Sequence, residues 1–161
     1  MLLHRVAVSL LWTVILPAAL PGCTKRIDTS TEDNYYKTLT EVMISLPASE
    51  RREFDDGMTM LWFYSESNEA TNALIDGKTG RELLALIRER SAALPRLDTS
   101  SREAYESSLA EIKAGLPPSL LNTYDTWRKE LPPYRPGNQK LEALNGMTFQ
   151  KIIEIRNSPN R

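Results

Sequence analysis

The sequence predicts an all-α protein of two tandem three-helix units, packed into one helical bundle behind an N-terminal leader. Three observations predict it. The stretch 26–55 recurs without gaps at 96–125, an offset of 70, with eleven identities among thirty pairs. Within each copy the apolar residues return at helical spacing, bracketed by residues that start and stop helices. No segment shows the apolar and polar alternation of a half-buried strand.

The first helix of each unit is predicted from Tyr35, Leu39, Val42, Met43 and Leu46, and from Tyr105, Leu109, Ile112 and Leu116 in the second copy. These sit at i, i+4, i+7 and i+11, with Met43 at i+8, and form one face of a 3.6-residue period. Ser30 with Asp33, and Ser100 with Glu103, have the spacing of capping boxes, in which hydroxyl and carboxylate satisfy free amide donors reciprocally. Pro47 and Pro117 end these helices, because the residue before proline avoids helical dihedrals. A second helix begins near Ser49 or Ser119 and carries Phe54, Met58, Leu61 and Trp62, or Tyr124, Trp127 and Leu131. "PPYRPG", 132–137, stops the second copy of that helix; in the first copy the pattern either runs on through "YSESNEATNALI" or breaks near Ser65. Asp76-Gly77 and Asn145-Gly146 are turn signals, glycine taking the left-handed conformation without a steric penalty. Thr79 with Glu82 then forms a capping box for a third helix, from 80 to about 90, and Thr148 starts its counterpart, which ends near Asn157.

The leader is "MLLHRVAVSLLWTVILPAALPGC". One cation, an apolar run over 6–20 and small residues before Cys23 are the marks of a secretory signal. The run is shorter than the ~20 residues a membrane-crossing helix needs. Leu20, Pro21 and Gly22 before Cys23 read as a lipobox, predicting cleavage after residue 22 and acylation of Cys23, the sole cysteine. Each buried methylene of such a chain contributes about 0.8 kcal/mol, and more than one chain makes attachment stable. The domain plan is therefore signal peptide 1–22, lipidated terminus and spacer 23–25, first repeat 26–92 and second repeat 93–161. Thr24 stands where an Asp marks inner-membrane retention in related systems. By that resemblance the expected location is the periplasmic leaflet of the outer membrane.

Composition narrows the chemistry. The chain has 20 Lys and Arg against 21 Asp and Glu, and the only His and one of the Arg, His4 and Arg5, belong to the leader. Without a basic excess there is no case for nucleic acid. Without an imidazole or a free thiol in the mature chain, Ser/His/Asp and Cys/His nucleophilic sites and nitrogen- or sulfur-ligated zinc are excluded. No metal, cofactor or enzymatic activity is expected.

"RIDTSTEDNYYKTLTEVMISLPASERREFDDGM" followed by "LIDGKTGRELLALI" resembles a family of small Gram-negative lipoproteins of unknown function. They share a lipidated cysteine, a K/R-I-D-x-S start, an S-L-P-x-x-x-R-x-x-F block and an L-x-G-K-T-x-x-E helix start. The first unit carries this pattern nearly throughout. The second departs from it, with Leu121 or Asn122 in place of the block's arginine and Met147 in place of Lys78, as a diverged copy would. The resemblance implies an anchored envelope protein and supplies no activity.

"DGKT", 76–79, is not a phosphate loop: Asn72 stands where the first glycine belongs, and the preceding segment is helical. Asp28 and Asp98 are expected to support the helix caps and pair with Arg26 and Arg96, the alternative being a docking point. Glu41, Glu111, Asp55 and Asp125 are acids kept in both units; read as salt-bridged helix faces, they leave a carboxylate glycan hydrolase as the least favoured function. Trp62, Phe63 and Tyr64 are consecutive, so on a helix they cannot all enter one core, and they are the candidate surface for a protein partner. The expectation is a lipid-anchored, non-enzymatic binding or adaptor module, with an immunity lipoprotein against a periplasmic toxin as the alternative.

Overall fold

A computed structural model describes residues 24–158. The leader, the lipobox Leu20, Pro21 and Gly22, and the lipidation site Cys23 lie outside the described residues. Those described form eight helices and no strand: α1 (Glu32–Ser45), α2 (Ala48–Phe63), α3 (Asn68–Ile75), α4 (Gly80–Ala93), α5 (Arg102–Ala114), α6 (Pro118–Glu130), α7 (Gln139–Glu142) and α8 (Phe149–Asn157). The all-α expectation holds, but each unit has four helices where three were expected. The extra helix in the first unit arises because α2 breaks after Phe63, where Ser67 takes the Ala70 amide and starts α3 anew. In the second unit the proline-rich 132–137 separates α6 from α7, which is a single turn.

Each unit is closed by the same clasp. In the first, the Ile27 amide donates to the Lys78 carbonyl at 3.0 Å, and the Gly77 amide returns to the Ile27 carbonyl at 2.9 Å. In the second, Leu97 pairs with Met147 and Gly146 with Leu97, at 2.9 and 2.7 Å. Gly77 and Gly146 take φ of 67° and 75°, dihedrals that favour glycine. Arg26 and Arg96 donate to the carbonyls of Gly77 and Gly146 rather than pairing with Asp28 and Asp98, correcting that expectation.

The aspartates instead shape the helix starts. Asp28 accepts the Ser30 amide at 2.9 Å and Asp98 the Ser100 amide at 2.8 Å, each closing an Asx-type turn. Those bonds hold their carboxyls below the ordinary 3.8. With the Ser30 and Ser100 amides taken up in turns, the helices begin one residue later than expected. Thr31 and Ser101 are the caps, accepting from the Asn34 and Ala104 amides. The Thr79 and Glu82 capping box forms as expected, and Thr148 caps α8.

There are two cores, one per unit. The first gathers Ile27, Val42, Phe54, Leu61, Ile75 and Leu83. The second gathers Leu97, Tyr105, Tyr124, Trp127, Leu141 and Phe149, and the half-buried Phe63 and Tyr64 of the first unit pack against it. In the first unit α2 and α4 meet over Gly57, where a Cβ would fall inside the Ile87 side chain, and Gly80 lies under Leu46 and Val42, where a Cβ would come within 2.9 Å of Leu46. The repeat places Trp127 and Phe149 at those two positions in the second unit, and their rings meet edge to face at 5.3 Å.

Candidate functional site

Successive helical residues point about 100° apart, so Trp62, Phe63 and Tyr64 at the end of α2 part company. Phe63 reaches the second unit, its ring 6.1 Å from Phe149. Tyr64 does the same, its hydroxyl accepting the Gln150 amide at 3.1 Å. Those two side chains form the seam between the units. Trp62 turns back over α1: its indole N–H donates to the Tyr35 hydroxyl at 3.1 Å, and the two rings meet edge to face at 6.0 Å. Burial pushes the Tyr35 hydroxyl above its ordinary 10.0, so it stays a neutral phenol across the physiological range.

Tyr36 extends this cluster outward. Its ring lies 5.3 Å from that of Tyr35, and the residue is 59% exposed, the most exposed large apolar side chain among the described residues. Tyr36, Tyr35 and Trp62 border a groove of about 560 Å³ between the start of α1 and α3, with Glu32, Asn68 and Asn72 among its walls. The size lies within the ~300–1,000 Å³ of small-molecule sites. Sequence reasoning singled out Trp62 but missed Tyr36, Asn68 and Asn72. The signal for Tyr36 was its place off the apolar face, opposite Glu106 in the other copy.

A larger groove of about 890 Å³ runs between the units, with Arg52 and Lys151 beside Glu53, Asp56 and Glu154. Its mixed charges select neither a cation nor an anion. The four repeated carboxylates line none of these grooves. Glu41 is bound by Lys25 at 2.9 Å, which lowers its pKa, and Asp125 by Lys113 at 2.9 Å. Glu111 accepts from Ser107, and Asp55 is exposed on α2.

No family model matches the chain, and neither a curated protein nor a solved structure does. The residues behind the family resemblance nonetheless have visible duties. Arg51 donates to the Ile44 and Leu46 carbonyls at 2.9 and 3.1 Å, capping the end of α1. Phe54 fills the first core, Asp28 and Thr79 set helix starts, and Lys78 supplies the clasp carbonyl. These are duties of architecture. Among the described residues no group of three His, Cys, Asp or Glu could hold a metal, and no helix is long and apolar enough to cross a membrane.

Proposed function

We propose that the protein is a lipid-anchored, non-enzymatic binding module of the cell envelope. Acylated Cys23 tethers it to the periplasmic leaflet of the outer membrane, and the groove beside Trp62 engages its partner. The observation that supports a binding role is the exposed Tyr36 beside Trp62, in a groove that the duplicated fold does not need. The other copy builds the same clasp with Glu106 and Pro132 at those positions. An exposed aromatic cluster of this kind is a common anchor of recognition surfaces. The lipobox at 20–23 supports the tether, and the spacer up to the Arg26 clasp is short enough to hold the first unit near the bilayer.

The anchor is tested by palmitate labelling and membrane fractionation. Wild type is expected to take up label and sediment with membranes, and Cys23→Ala to lose both or to stall before maturation. An unlabelled wild type, or an unchanged Cys23→Ala product, would remove the lipid anchor from the account.

A further inference from the structure

We infer that the groove beside Trp62 binds an uncharged oligosaccharide, its sugar rings packing against Tyr36 and Trp62 while Asn68, Asn72 and Glu32 engage its hydroxyls. The inference rests on that groove being the binding face, and it does not depend on the lipid anchor.

Four observations converge on this ligand class. The three rings are contiguous and inclined to one another, Tyr35 meeting Tyr36 at 5.3 Å and 57° and Trp62 at 6.0 Å and 74° between ring centres and planes, so they border the groove as separate apolar surfaces. The indole N–H is already spent on the Tyr35 hydroxyl, so Trp62 offers the groove its carbon surface. A pyranose has a matching C–H face and a polar rim, and aromatic rings with a polar handle suit ligands of that amphipathic kind. Second, the Asn68 and Asn72 amides and the Glu32 carboxylate make no hydrogen bond within the described protein. An amide both donates and accepts, as a sugar hydroxyl does, so each can pair with vicinal hydroxyls. Third, no Lys or Arg lines the groove and Glu32 is its only charge, which disfavours phosphate, sulfate and carboxylate ligands. A quaternary ammonium could sit among such rings beside Glu32, but it neither donates nor accepts a hydrogen bond and would leave the Asn68 and Asn72 amides unpaired.

The duplication supplies the fourth observation. At the corresponding place in the second unit the cavity shrinks to about 320 Å³, walled by Arg135, Pro136 and Gly137. Tyr36 becomes Glu106 and Trp62 becomes Pro132, at an offset of 70. The first unit thus carries an aromatic cluster that the shared architecture can dispense with.

The test is a titration of the full mature chain, in detergent micelles, with cellotetraose and with chitotetraose, followed by tryptophan fluorescence and calorimetry. Saturable binding of at least one sugar is expected, weakened about tenfold or more in Tyr36→Ala and in Asn68→Ala. Both positions are exposed, and circular dichroism should show both variants folded. Ile44→Ala, a similarly exposed apolar residue elsewhere on α1, should bind like wild type. Failure of both sugars to bind at millimolar concentration, or binding undiminished in folded Tyr36→Ala, would overturn the inference. A photocrosslinker at position 36 in intact envelopes separates the two levels of the account. Capture of a protein there, with no sugar bound in solution, would overturn the saccharide and keep the groove as the binding face; no crosslink and no sugar would overturn both.

Discussion

The two units share a backbone clasp and differ in how they fill their cores. In the first, Gly57 and Gly80 let α2, α4 and the end of α1 approach closely, with Ile87, Leu46 and Val42 in the space a side chain would take. In the second, Trp127 and Phe149 occupy those positions, and Phe63 and Tyr64 arrive from the neighbouring unit to complete the cluster. The difference teaches that the duplicated cassette specifies hydrogen-bonded geometry: an Asx turn, a hydroxyl cap, a two-bond clasp and a left-handed glycine. The volumes around that frame have been solved twice. Each core's buried residues come from its own unit, and the exchange is in the half-buried covering layer: Phe63 and Tyr64 pack on the second core, and Leu94 at the junction packs on the first. The aromatics of the seam come from the first unit, and that unit's surface has kept an open groove.

The largest effect expected from breaking this arrangement comes from Phe149→Ala. That residue is 1% exposed and touches Phe63, Tyr124 and Trp127, so its loss should destabilise by about 3–5 kcal/mol, read as a lower urea midpoint. Next is Gly57→Ala, whose added Cβ would collide with the buried Ile87 side chain between α2 and α4 and should destabilise by about 1–3 kcal/mol. Tyr64→Phe keeps the seam's apolar area and removes the bond to the Gln150 amide, for about 1 kcal/mol. Smaller still is Asp76→Asn. Asp76 accepts the Thr29 amide at 2.9 Å, and Asn145 does the same for Thr99 at 2.8 Å, so the swap should change stability by no more than about 0.5 kcal/mol.

A shared acid response should accompany these differences. Asp28 and Asp98 titrate below the ordinary 3.8 when folded, chiefly through the Ser30 and Ser100 bonds. A depressed folded value means the stabilisation is present above the unfolded pKa and is lost as pH falls through the folded one. Resistance to urea should therefore fall as pH drops below about 4. Asp28→Asn and Asp98→Asn should each flatten that decline to a similar degree; a flattening in only one would show that the two turns are not equivalent.

Much of this architecture was legible because it is local. The offset of 70, the Thr79 and Glu82 box and the two turn glycines all depend on residues close in sequence. The helix starts were placed one residue early because Ser30 and Thr31 both have capping hydroxyls, and only the bond from the Ser30 amide to Asp28 decides between them. The break after Phe63 is not decided by the sequence, because no proline or glycine stops α2 there and only the Ser67 cap on the Ala70 amide starts α3 anew. The replacement of Gly57 by Trp127 was visible in the alignment of the copies, but its meaning is a distance between helices. The groove was half legible: Trp62 was singled out, whereas Tyr36, Asn68 and Asn72 join it only when α1 and α3 are set side by side.

Hydrogen exchange on the full chain, comparing wild type with Phe63→Ala, tests most directly whether the first unit's seam completes the second core. The account predicts that Phe63→Ala lowers protection of buried amides in α6 and α8, such as those of Tyr124, Trp127 and Ile153, while those of Val42 in α1 and Ile87 in α4 exchange as in wild type. Equal loss of protection in both units, or loss confined to the first, would contradict it.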